Sequence, residues 1–139
     1  MNASNSKPGN GNAEQTAKNS GQHEFSFASC RKAIDESVTL DAHALYEAAK
    51  SGKRHGGIYK DAVKKSRIRL EKSIFSHASQ VKEHADKINN PVGYDAGWEQ
   101  KDDRQKEGLV HKWEKDLKRN AEQAAIEMEI WKERFDNDD

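Results

Sequence analysis

Val63-Lys-Lys-Ser-Arg67-Ile-Arg-Leu70-Glu-Lys-Ser-Ile74-Phe-Ser-His77-Ala-Ser-Gln-Val81-Lys-Glu-His84-Ala-Asp-Lys-Ile88 is the stretch whose spacing decides the fold. Arg67, Ile74, Val81 and Ile88 recur every seven residues, and Val63, Leu70, His77 and His84 recur on the adjacent line. These are the a and d lines of a heptad seam, so the spacing predicts one long amphipathic helix from about Tyr59 to Ile88. Asn89, Asn90 and Pro91 end it, because the residue before a proline resists the helical region.

A matching segment follows a connector that carries Val92, Tyr94 and Trp98. Asp102 or Asp103 suits an N-cap. From there Val110, Leu117, Ala124 and Trp131 form one heptad line, and Ala121, Met128 and Phe135 form the next. The two long helices are expected to pack as an antiparallel hairpin. Ahead of them, Phe27, Cys30, Ala33 and Ile34 predict a short helix starting near Ser26 or Ser29. Leu45, Ala48 and Ala49 predict a second, capped by Thr39 or Asp41 and stopped at Gly52. No strand alternation is present. The expectation is an all-α fold: a long antiparallel helical hairpin carrying two short N-terminal helices, as a single helical domain over 23–139. Residues 1–22 are rich in Asn, Gly and Ser and lack large apolar side chains, so they read as a disordered arm or linker.

Composition narrows the function classes. At 139 residues one domain is expected, and 33% apolar against 35% charged residues support a narrow helical seam only. Zero formal net charge argues against a general nucleic-acid coat or a membrane-surface protein. The charge is nevertheless unevenly placed. Between Lys53 and Lys72 stand Lys53, Arg54, Lys60, Lys64, Lys65, Arg67, Arg69 and Lys72 against Asp61 and Glu71, while Glu127 to Asp139 is acidic. Such runs are more often solvated helix faces than binding faces. The single cysteine, Cys30, excludes an intrachain disulfide and a Cys-rich metal site. No apolar run reaches the roughly 20 residues of a membrane span, and no secretory leader precedes the domain. The chain is therefore expected in the cytoplasm, or delivered into a target cell as cargo, with no membrane partner.

The chemistry-bearing stretch is Ser51-Gly-Lys53-Arg54-His55-Gly-Gly57-Ile-Tyr-Lys60. A histidine lies beside two cations and between glycines that permit close approach to a ligand. Unperturbed imidazole titrates at about pH 6.5 and so serves as acid or base. Lys53, Arg54 and Lys60 are positioned to hold a phosphate and to stabilise a phosphorane-like transition state without a metal. That is the chemistry of a metal-independent ribonuclease with His55 as general acid/base. The plainer reading is a helix C-terminal loop with Gly52 as its cap. A loop residue of this kind carries little packing, so His55→Ala is expected to leave the fold stable. His77 and His84 stand where Leu is expected, so each needs a hydrogen-bond partner or solvent. Seven residues of helix rise by about 10.5 Å, too far for the two to share a metal. His43 with Glu47, and Glu107 with His111, have i,i+4 spacing but no third ligand nearby in the chain, so no metal or other cofactor is expected. Trp98, Trp113 and Trp131 read as packing residues.

The loop from Ser51 to Lys60 also resembles a motif ahead of a helical block in C-terminal modules of bacterial polymorphic toxins, the Rhs-repeat and filamentous-haemagglutinin-like proteins. The block resembles Leu70-Glu-Lys-Ser-Ile-Phe-Ser76 through Glu83-His84-Ala-Asp-Lys87-Ile-Asn-Asn90-Pro91. Its second half resembles Trp98, Arg104-Gln105, Trp113, Asp116-Leu-Lys-Arg119 and Glu122-Gln123. The resemblance spans roughly residues 45–130. It implies a toxin tip of interbacterial competition, often a nuclease, with an immunity or carrier protein as partner. It carries over Lys53, His55, Gly57, Lys60, His84, Lys87, Asn90, Arg104, Asp116 and Arg119, and leaves out His77 and His111. On this reading His55 and His84 are the catalytic pair, with Lys53, Arg54, Lys60, Lys87 and Arg119 binding RNA. The alternative is a non-enzymatic helical binding module, such as an immunity or adaptor protein. Convergence of His55 and His84 with Lys87 or Arg119 favours the enzyme; an uncovered apolar strip favours the binding module. Oligomeric state is left open by the narrow seam.

Overall fold

The computed structural model describes residues 25–136. The expected arm at 1–22 lies outside the described residues, as do residues 137–139. Within them the chain is helical throughout, with no strand. Helices α1 (Phe27–Asp35), α2 (Ala42–Lys50) and α3 (Gly56–Ala62) precede the two long helices α4 (Arg67–Asn89) and α5 (Asp103–Phe135), and two short 3-10 turns, Pro91–Gly93 and Trp98–Gln100, join the long pair.

The caps follow the side chains. Ser26 Oγ accepts from the Ser29 amide and starts α1, and Asp41 Oδ1 accepts from the Ala44 amide and starts α2. Asp102 and Gln105 form a reciprocal capping box at α5. Gly52, at φ 84°, ends α2 in a Schellman motif: its amide donates to Ala49 O and the Lys53 amide to Ala48 O.

The single helix expected from Tyr59 to Ile88 is two helices. It begins earlier, at Gly56, and breaks across Val63–Ser66 before Ser66 Oγ accepts from the Arg69 amide and caps α4. The break is sustained from the far end of the chain. Arg134 Nη1 donates to the carbonyls of Ala62 and Lys65, at 3.1 and 2.7 Å, satisfying acceptors that a continuous helix would have used itself. One seam position leaves the seam as a result: Arg67 is exposed with its guanidinium over the rings of Trp131 and Phe135, whereas Val63, in the break, still packs partly buried against the core.

The hairpin of α4 and α5 is antiparallel. Trp131 meets Glu71, Glu127 meets Ser73 and His77, and Asp116 faces His84, so rising numbers on one helix meet falling numbers on the other. Leu70, Ile74 and Val81 of α4 pack with Ile126, Met128 and Ile130 of α5, all fully buried. Each contributes about 1.5–3 kcal/mol by leaving water. Helices α2 and α3 pack on α5, and α1 packs mainly on α4. From Asn120 to Met128 every residue except Gln123 is buried, and Ala121, Ala124 and Ala125 let neighbouring helices approach closely on several sides. The second half of α5 is thus a central helix, and it carries two glutamates into the core: Glu122 at 5% exposure and Glu127 at 2%.

Candidate functional site

A buried carboxylate must be paired or hydrogen-bonded. Glu122 is met by the loop between α2 and α3. His55 Nε2 lies 2.9 Å from Glu122 Oε1, and Arg54 Nε and Nη2 donate to the same oxygen at 2.9 and 2.7 Å. Burial pushes the Glu122 carboxyl up, but the bonds from His55 and Arg54 outweigh it and hold the group below the usual carboxylate range. The carboxylate is therefore ionised and can only accept, so Nε2 of His55 carries the hydrogen. Nδ1 of His55 has no hydrogen-bond partner among the described residues.

The loop that places these groups is well fastened. Beyond the Schellman motif, the Gly56 amide donates to Lys53 O and the Tyr59 amide to His55 O. His55 is the N-cap of α3 at φ 64°, the one non-glycine residue with positive φ among the described residues. An imidazole side chain in the left-handed region costs about 1 kcal/mol or more, and such strain persists where surrounding contacts impose it. Here the imposing contact is Glu122. The side chain of His55 is 10% exposed, that of Arg54 61%. His55 is thus a load on the fold, and the expectation that His55→Ala leaves stability unchanged is replaced by an expected loss. Lys53 is exposed beside Arg54, and Lys60 is exposed on α3.

His84 does not join this site. It is 8% exposed on α4, facing Asp116 of α5, where Asp116, Lys87, Glu83 and Lys112 surround it. Asp116 and Glu122 are six residues apart on α5, about 9 Å along the axis and 120° around it. The two histidines thus stand on different sides of the central helix, and the expected pairing of His55 with His84 is not formed. Lys87 pairs with Glu83 at 3.2 Å and Arg119 with Asp116 at 3.2 Å, so both expected substrate-binding cations lie on the His84 side. Burial, then the charge of Lys87, lowers the His84 pKa, and its Nδ1 is sealed from solvent without a partner. The Lys112 ammonium, hydrogen-bonded at 2.9 Å, holds the Asp116 carboxyl down despite its burial.

A second buried centre was not expected. Glu127 accepts from Ser73 Oγ at 2.6 Å and lies 2.9 Å from His77 Nδ1. Ser73 points to the carboxylate, as His77 does, so this is no nucleophile–base relay; it ties α4 to α5. His43 with Glu47 and Glu107 with His111 gain no metal-binding company, since no group of three or more His, Cys, Asp or Glu is placed to hold an ion among the described residues. No helix among them is long and apolar enough to cross a membrane. Trp98 and Trp113 stack on each other at 6.0 Å, and Trp131 packs on Phe25 and Phe27, as packing residues do.

The sequence reading gave no site role to Glu127, or to Glu122 beyond its place in the resembling Glu122-Gln123 pair, because charges on an amphipathic helix normally face water. The available signal was their company, Ala121-Glu-Gln-Ala-Ala-Ile-Glu-Met128, where small and apolar residues surround both acids in every direction. No protein-family model matches the chain, no curated protein is similar to it, and no solved structure matches its fold.

Proposed function

We propose that this chain is a toxin-type effector domain of interbacterial competition that cleaves RNA without a metal, with Arg54, His55 and Glu122 as its centre. The observation that carries the reading is the left-handed His55 clamped, together with Arg54, on one oxygen of a buried ionised glutamate. Strained backbone and a buried charge network are both costly, and they coincide at functional sites more often than elsewhere.

In this scheme Glu122 fixes the ring and keeps the hydrogen on Nε2, so Nδ1 is the proton acceptor. It takes the proton of a ribose 2′-hydroxyl. The 2′-oxygen then bonds to phosphorus while the bond from phosphorus to the 5′-oxygen breaks, and solvent water protonates the leaving oxygen. Arg54 and Lys53 hold the phosphate as its charge grows. His84, Lys87 and Arg119 take no part, since they lie around Asp116. The polymorphic-toxin resemblance supports the biological setting, and an immunity or carrier protein is the partner it implies.

One observation favours the second reading, a non-enzymatic binding module. A groove of about 450 Å³ opens between the end of α1, α4 and α5, with Val38, Ala85, Ile88 and Leu117 among its lining. The deciding experiment is incubation of the purified chain with tRNA and total RNA in EDTA, with the product ends analysed. Products ending in 2′,3′-cyclic phosphate, absent with His55→Ala, support the ribonuclease. A folded, monodisperse chain that cuts no RNA overturns it in favour of the binding module.

A further inference from the structure

The corner between α3 and α4 carries more positive charge than the fold uses. The α3 C-terminus favours cations, but the Ala62 carbonyl there, and that of Lys65 in the break beyond it, already accept from the Arg134 guanidinium. The first turn of α4 favours anions, yet it has no acid and holds Arg67 and Arg69. Glu71, the nearest acid on α4, is committed to Arg67 and Trp131. Lys60, Lys64, Arg69 and Lys72 are all exposed, and their side chains make no ion pair, hydrogen bond or ring contact among the described residues. Ile68 stands among them at 65% exposure. Helix α3 links this corner directly to His55, which is its N-cap.

We propose that Lys60, Lys64, Arg69 and Lys72 form a grip for the phosphate backbone of single-stranded RNA, leading the strand to His55. The inference rests on the ribonuclease reading above and extends it to substrate class. Charge complementarity favours a polyanion. The rings of Trp131 and Phe135 at this corner lie under the Arg67 guanidinium, so the grip holds phosphates and is indifferent to sequence. It also explains how a chain of zero net charge binds nucleic acid: the cations are concentrated on one corner, with only Asp61 and Glu71 against them, and most of the balancing acids lie elsewhere on the chain.

The test is binding of a 2′-O-methyl oligonucleotide of about 20 residues, which cannot be cleaved, to the full chain across a range of KCl concentrations. Four phosphate contacts predict a log–log salt slope near −3, at about −0.7 per contact for a single strand. The double variant Lys64→Gln/Arg69→Gln should bind at least tenfold more weakly, with a shallower slope and an unchanged helical spectrum. Lys60→Gln/Lys72→Gln is the second variant and should do the same. His55→Ala should bind like the wild type while failing to cleave RNA. Unchanged affinity and slope in both double variants overturn the grip even if the wild type cleaves. Binding with the expected slope and no cleavage by the wild type leaves the grip standing and overturns the ribonuclease. Absence of oligonucleotide binding, with binding to phosphatidylserine vesicles, shows the corner to be a membrane surface and overturns the inference.

Discussion

Glu122 and Glu127 lie five residues apart on the same helix, both buried, each holding a histidine, yet they serve opposite ends. Five residues turn α5 through about 140°, so one acid faces the α2–α3 loop and the other faces α4. The partners of Glu127, Ser73 and His77, both come from α4, and the centre is a staple between two helices. The partners of Glu122 come from a short loop, one with strained backbone and the other with a guanidinium mostly in water. The same carboxylate–imidazole chemistry thus gives tertiary attachment in one place and, in the other, an oriented ring whose Nδ1 has no hydrogen-bond partner among the described residues. On the proposed reading, what separates the structural His77 from a reactive His55 is the backbone that delivers it.

The largest expected effect breaks the comparison on activity. His55→Ala or Arg54→Ala should lower RNA cleavage by about 10²–10⁴-fold, the usual worth of a positioned acid–base group, while His77→Ala should leave the rate within about twofold. Equal losses at the two histidines, in initial-rate assays on folded proteins, would show that Glu122 and Glu127 do not differ in kind.

On stability the order reverses. Glu127→Ala should cost about 3 kcal/mol, because Ser73 and His77 sit on a packed helix and keep unpaired polar atoms. Glu122→Ala should cost about 2 kcal/mol, because Arg54 can turn back to water. Urea midpoints read both, and a larger loss at Glu122 would contradict the staple.

His84 sharpens the contrast by lacking a carboxylate hydrogen bond. Its pKa is lowered, so the folded chain holds it neutral while the unfolded chain takes up a proton first, at about pH 6.5. Its contribution is complete above that pH and is lost as pH falls toward the folded value. The lowered Glu122 group acts in a separate, more acidic window: its contribution is present above the ordinary carboxylate range and lost as pH falls through the folded value. His84→Leu removes a sealed, unpartnered nitrogen from a seam position. It should stabilise the chain by about 1 kcal/mol at pH 7 and flatten the decline between pH 7 and 5, measured as melting temperature against pH. A destabilised variant with the decline intact would overturn this.

The smallest effect concerns backbone alone. His55→Gly and His55→Ala lose the same hydrogen bond, but only glycine relieves φ 64°, so the glycine variant should be more stable by about 1 kcal/mol. Calorimetry giving the two equal stability would show that the left-handed conformation is not strained.

These contrasts also mark what was legible in the sequence. Ser26, Asp41, Gly52, Pro91 and the Asp102–Gln105 box fix element ends through contacts two or three residues away, and all are visible in the chain. Leu70, Ile74, Val81, Leu117 and Met128 reveal the seam by period. The break at Val63–Ser66 was hidden, because Arg134, which satisfies its carbonyls, lies about 70 residues later. The loop at His55 was visible as a candidate by its glycines and cations. Its fastening was not, since that comes from Glu122, a residue whose burial depends on α2, α3 and the loop between them packing on α5. Local contacts are written in the sequence, whereas burial of a charge on a central helix is a property of the whole packing.

The central claim is that Glu122 and its loop make a ribonuclease centre while Glu127 makes a staple. The most direct test is RNA cleavage in EDTA by wild type, His55→Ala and His77→Ala side by side, each confirmed folded. The account predicts cleavage by the wild type and by His77→Ala and none by His55→Ala. Cleavage that survives in His55→Ala, or vanishes in His77→Ala alone, would contradict it.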